Sequence, residues 1–235
     1  MEALVHKDSG IREIWIQEGK GSTRTNEILE LANRAHIPVF SKSPSVFSKA
    51  MPRMSHQGIA ALMEGFLYTD LEKIIDMTQK IRGQALVIAA DHITDEGNMG
   101  AIIRTAEFFG AHGLVIPKDR SAEVTHKVMK RSSGACMNLP TARVVNMTRS
   151  LKRLREKGFW VIGTSDKAGQ SIWTFDWKRD IILVVGSEQK GLGPGVRKCC
   201  HEMLKIPGYG KIQSLNVAVA CGVILSEICR QRQSK

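Results

Sequence analysis

Ala85-Leu-Val-Ile-Ala-Ala-Asp-His-Ile-Thr-Asp-Glu-Gly-Asn-Met-Gly-Ala-Ile-Ile-Arg-Thr-Ala106 is the stretch that decides the fold. Its first six residues form an unbroken apolar run. That is too short for a buried helix and suits a strand covered on both faces. A polar loop follows, and the pattern over 98–109 is helical. A second apolar run at 113–116 completes a strand–helix–strand unit, which predicts parallel pairing.

Working outward toward the C-terminus, the alternation continues. Helices are expected over 122–131, 147–157, 194–200 and 215–230. Strands are expected over 143–145, 159–163, 181–185 and 203–206. The implied architecture is an α/β domain built on an open parallel sheet, where ligands sit beyond the carboxyl ends of strands.

Toward the N-terminus, residues 1–70 read as one small α/β unit. Ile14-Trp15-Ile16, 37–40 and 58–67 suit strands, and Pro38 favours an edge or a strand start. Segment 26–35 has helical spacing with Thr25 or Asn26 as its cap, and 45–51 suits a short helix. Parallel pairing is expected here too. Segment 71–82 reads as a helical connector, leaving 83–235 as the larger domain.

The 235-residue chain has 34 basic and 23 acidic residues, a formal charge of +11. A polyanionic partner is the natural reading, because each neutralised phosphate releases counterions. No apolar run approaches the ~20 residues of a membrane span. The start has no basic-then-apolar leader, so the cytoplasm is expected. The five cysteines include no Cys-x-x-Cys pair, which argues against a disulfide framework or a zinc ribbon. Cys199, Cys200 and His201 are adjacent, but neighbouring side chains diverge, so no metal is expected.

Three segments of the larger domain carry more chemistry than connectors need. In the first, Asn98 lies near a helix start, where amide hydrogens are unpaired, and Arg104 lies nearly two turns further on. Taken alone, Asn98 reads as a cap and Arg104 as a solvated charge. The second, Val184-Val-Gly-Ser-Glu-Gln-Lys-Gly-Leu-Gly193, runs an apolar strand into glycines. Gly186 lets the backbone approach a ligand closely. Leu192 stands where a P-loop requires Lys-Ser/Thr, and the glycine spacing excludes a dinucleotide fingerprint. Glu188 is a carboxylate among glycines, a poor candidate for packing. The third, Ile206-Pro-Gly-Tyr-Gly-Lys-Ile-Gln-Ser-Leu-Asn216, sets Ser214 and Asn216 at the mouth of an apolar helix. Capping accounts for either residue taken alone.

In this order the three segments resemble the signature motifs of the SpoU/TrmH RNA 2′-O-methyltransferases. The matches are Asn-x-Gly-(x)3-Arg-Thr-Ala from Asn98, Gly-x-Glu-x-x-Gly-Leu from Gly186, and Ile-Pro-(x)2-Gly-(x)3-Ser-Leu-Asn from Ile206. Ser55-His-Gln-Gly-Ile-Ala and the unit around it resemble the L30e-like substrate-binding domain of the family's ribosomal-RNA branch. Three departures stand out. Glu96-Gly97 replaces a frequent proline before Asn98, Gly208-Tyr209 replaces a Met-containing pair, and His201-Glu202 stands where Asp-Glu is common.

The resemblance implies a trefoil-knotted SPOUT fold, S-adenosylmethionine as cofactor, RNA as substrate and a homodimer closed partly by the final helix. It assigns the cofactor site to backbone near Gly186, Ile206 and Leu215, with Thr164 added. It assigns Arg104 as the catalytic arginine and Asn98, Glu188, Ser214 and Asn216 as its polar companions. The family's usual proposal makes the arginine a base. A guanidinium has no acceptor, so phosphate binding and charge stabilisation suit Arg104 better. The target implied is 23S ribosomal RNA, with transfer RNA, a base methylation or a noncatalytic RNA-binding role as alternatives.

Overall fold

The computed structural model describes residues 4, 10–20, 22–52, 56–187 and 189–233. The chain divides into two compact units, Met1–Leu67 and Tyr68–Lys235.

Among the described residues, the first unit has a three-stranded sheet in the order β2-β1-β3, together with helices. Its elements are β1 (Ile11–Gln17), α1 (Thr23–Arg34), β2 (Val39–Lys42), α2 (Pro44–Ala50) and β3 (Ile59–Met63). Ile14, Ile28 and Ala32 form its buried centre. Helix α1 begins earlier than its spacing predicts. Its cap is Ser22, whose hydroxyl accepts from the Thr25 amide, while Thr25 itself is buried within the helix. Strand β2 pairs parallel with β1, as expected, but β3 pairs antiparallel. An antiparallel partner needs no long crossover, and the seven-residue α2 spans only about 10 Å.

The second unit opens with α3 (Leu71–Gln79). Residues 71–82 read as a connector, yet this helix sinks Ile74 and Ile75 into the core with Val87, Val115, Leu151 and Val161. Then come β4 (Leu86–Asp91), α4 (Glu96–Phe108), β5 (Gly113–Pro117), α5 (His126–Arg131), β6 (Thr141–Val144), α6 (Met147–Glu156) and β7 (Trp160–Thr164). The chain continues through β8 (Gln170–Ser171), β9 (Ile181–Gly186), α7 (Pro194–Cys199), β10 (Glu202–Lys205) and α8 (Val217–Gln233). Helix α5 is shorter than expected because Thr125 caps it, accepting from the Val128 amide. The two-residue β8 is too short and polar to announce itself.

These strands form a seven-stranded sheet in the order β6-β5-β4-β9-β7-β10-β8. Every pairing is parallel. All carboxyl ends therefore fall along one edge. Strands β4 and β9, at the centre, are buried at every residue, as a sheet covered on both faces requires. Helix α8 lies against α4 closely enough that a Cβ on Gly222 would meet the Thr105 methyl at 3.5 Å. Near its end, Arg232 donates to the carbonyls of Gln84, Ala85, Trp177 and Arg179, fastening the helix to the amino ends of β4 and β9.

Candidate functional site

Strands β9, β7 and β10 are neighbours, and the sequence-predicted cofactor residues leave from their carboxyl ends. Gly163 is registered with Val184, and Thr164 with Leu204. Gly186, Thr164 and Ile206 therefore sit at three adjacent strand ends, although they come from distant parts of the sequence. The Thr164 hydroxyl donates to the Val184 carbonyl at 3.3 Å.

Gly186 is where the absence of a side chain matters most. A Cβ there would lie 2.4 Å from the Gly191 carbonyl carbon, 2.5 Å from its oxygen and 2.6 Å from the Leu192 nitrogen. The loop after β9 folds back because the Gly191 amide donates to the Ser187 carbonyl at 2.8 Å, with Gly191 at φ +62°. The close approach that this glycine permits is thus made by the chain's own loop. Glu188, the informative carboxylate of the motif, lies outside the described residues.

The loop is also held from the neighbouring strand. Asp91, fully buried, ends β4 in register with Gly186. Its Oδ2 accepts from the Gly193 amide at 2.8 Å, and its Oδ1 from His92 Nδ1 at 2.7 Å. His92 has φ +58°, a left-handed conformation uncommon outside glycine.

The first and third motifs meet directly. Asp95, not Asn98, caps α4, accepting from the Asn98 amide at 2.7 Å. The Asn98 side chain turns elsewhere, and its Oδ1 accepts from Asn216 Nδ2 at 2.8 Å. Asn216 Oδ1 in turn accepts from the Ala218 and Val219 amides, capping α8. Asn216 therefore caps α8 and bonds to Asn98 at the same time.

A cavity of about 610 Å³ opens beside this junction, lined by His92, Asp95, Asn98, Arg120, Lys190 and Val217 among others. Among the described residues, Asn98 is the one sequence-predicted site residue in its wall. Arg104 is exposed on α4 and does not line it. Ser214 and Leu215 are exposed in the segment before α8, and Ile206 is half-buried. Sequence reasoning missed Asp91 and His92. The one signal for them was a carboxylate closing an otherwise apolar strand.

Cys199, Cys200 and His201 do not converge. Cys199 Sγ faces the Thr148 carbonyl, Cys200 Sγ the Val196 carbonyl, and His201 Nδ1 accepts from the Val161 amide. Burial pushes the Cys200 thiol up to about 12 and lowers the His201 imidazole below its ordinary value. Among the described residues, no group of three or more His, Cys, Asp or Glu side chains could hold a metal ion. No described helix is long and apolar enough to cross a membrane.

Two family models match the chain: the SpoU rRNA Methylase family over residues 85–226, and RNA 2′-O ribose methyltransferase substrate binding over residues 1–69. The chain is 36% identical to the 23S rRNA (guanosine-2′-O-)-methyltransferase RlmB of Ralstonia nicotianae, covering 97% of this chain and 91% of that protein. It is 34% identical to RlmB of Pseudomonas putida, covering 99% and 93%. Among solved structures it resembles the SpoU methyltransferase AviRb of Streptomyces viridochromogenes in complex with the cofactor AdoMet. The TM-score is 0.81 at 27% identity, covering 96% of this chain and 84% of that one. The α/β fold expected from the motifs is the SPOUT fold shared with that structure.

Proposed function

Since the chain belongs to the SpoU rRNA methylase family, we propose that it methylates a ribose 2′-hydroxyl of RNA, a guanosine of 23S ribosomal RNA, using S-adenosylmethionine. The observation that carries this reading is the Asn98–Asn216 hydrogen bond. It brings motifs one and three together beside the strand end that holds motif two.

The site suits the cofactor. Thr164, Gly186, Ile206 and Leu215 would hold it, largely through backbone at adjacent strand ends. The segment containing Ile206 and Leu215 includes Gly208 and Gly210, around whose Cβ positions the space is empty to 4 Å. When bound, the cofactor supplies a methyl group activated on a sulfonium. The chain's part is to align the ribose oxygen, and alignment alone is worth ~7–11 kcal/mol in favourable cases. Arg104 binds the adjoining phosphate and stabilises negative charge growing on that oxygen. Glu188 orients Arg104, while Ser214 and Asn216 hold the loop and the ribose.

Residues 1–70 grip the folded RNA and residues 83–235 carry the transfer. The excess of basic residues supplies the sequence-independent part of the affinity. The protein works as a cytoplasmic homodimer. Exposed Phe108 lies one helical turn beyond Arg104, on the same face of α4, and Val219 is exposed on α8. Pairing these faces covers apolar surface and brings Arg104 to the junction of the two copies.

The test is to incubate the protein with 23S RNA and isotopically labelled S-adenosylmethionine, digest, and analyse the nucleosides by mass spectrometry. Label on the ribose of one guanosine is expected. Label on a base, or nowhere, would overturn the proposal, as would label on transfer RNA alone when both RNAs are offered.

A further inference from the structure

Methyl transfer to a hydroxyl releases a proton, and Arg104 has no lone pair to receive it. Resting on the function proposed above, we infer that His92, oriented by buried Asp91, accepts the proton of the ribose 2′-hydroxyl.

Five observations converge on this residue. Asp91 is fully buried, and both of its oxygens accept hydrogen bonds, from the Gly193 amide and from His92 Nδ1. A carboxylate in that role fixes the hydrogen on Nδ1, so the neutral ring presents Nε2 as an acceptor. Nε2 has no hydrogen-bond partner among the described residues. The ring lines the same cavity as Asn98. Finally, Asp91 is in register with Gly186, so His92 begins one residue beyond the cofactor strand end, on a strand about 4.8 Å away. The left-handed backbone at His92 costs free energy, which fits a side chain held for a task.

The step balances. The oxygen forms its bond to the methyl carbon, and the carbon–sulfur pair returns to sulfur, which becomes a neutral thioether. The hydroxyl proton passes to Nε2 and afterwards to water. Among the described residues, the charged groups sharing the cavity are Asp95 from the start of α4, Arg120 from the segment before α5, and Lys190 from the loop after β9. Asp91 is the one in contact with the ring.

The test compares the wild-type protein with His92→Asn, whose amide still donates to Asp91 but cannot take up a proton. S-adenosylmethionine affinity by calorimetry and the thermal midpoint should match wild type. The methylation rate should fall about 100-fold, and the acid limb of the wild-type pH–rate profile should disappear. A readout independent of turnover is the imidazole NMR titration of His92 with S-adenosylhomocysteine bound. Adding substrate RNA should shift it, and adding RNA with a 2′-deoxy target nucleotide should not. If wild type methylates ribose while His92→Asn keeps its rate and pH profile, or if both RNAs shift His92 alike, this inference fails and the proposed function stands. If wild type methylates nothing, the function itself fails.

Discussion

Asn216 and Asn98, 118 positions apart, share a hydrogen bond of 2.8 Å from one side-chain amide to the other's carbonyl oxygen. The two functions of Asn216 can be separated. Asn216→Asp keeps an oxygen to cap α8 but cannot donate to Asn98 as a carboxylate. Its melting temperature should stay near wild type while methylation drops at least tenfold. Asn216→Ala loses the cap as well and should be about 1 kcal/mol less stable by denaturant titration.

Arg104→Lys keeps the charge and loses the planar fork. The residue is exposed on α4, so stability should change by no more than about 0.5 kcal/mol. Methylation should fall by about 100-fold or more, because a lysine cannot hold a phosphate bidentately. Single-turnover assays at saturating RNA check this. Near-normal turnover would remove the geometric role assigned to the arginine.

Gly186→Ala places a methyl group 2.4–2.6 Å from backbone atoms of Gly191 and Leu192. Backbone cannot swing aside as a long side chain can, so the loop after β9 must shift. We expect a loss of about 1–3 kcal/mol in stability. Cofactor binding by calorimetry should weaken at the same time, whereas RNA binding through the first unit should persist.

Burial raises Cys221 and Cys200 from the ordinary thiol value of 9.0 to about 12. The reactive species is the thiolate, so iodoacetamide at pH 8 should leave both unmodified in the folded protein and label both in urea. The sign of the linkage follows. The folded state holds these protons more tightly, so their contribution is complete below about 9 and declines as pH rises toward about 12. A urea midpoint that rises over that interval would contradict it.

Most of the sheet was legible because β4, β5, β7 and β9 are short, largely apolar runs. Val87 and Val184 belong to runs that only a doubly covered strand can use. Helix caps were harder. Asn98 and Asp95 are equally good formers of a helix start, and only coordinates show that Asp95 takes the cap and frees Asn98 for Asn216. Leu71–Gln79 reads as a connector because its polar face dominates the composition, while Ile74 and Ile75 decide where it packs. The antiparallel β3 left no trace, since its residue pattern is the same in either direction. The family was legible from the three motifs. His92 was not, because a single histidine carries no spacing, and its meaning arises from a carboxylate and a strand register.

The strand ends around Gly186 are drawn from β4, β7 and β9, which pair only after long loops have closed. Such distant pairings form slowly, and no partly folded chain contains the binding pocket. A ligand that recognises it therefore favours the complete native state, by about 2.7 kcal/mol at a concentration of 100 times Kd. Cells short of the methyl donor would hold fewer intact copies of the protein, not merely slower ones.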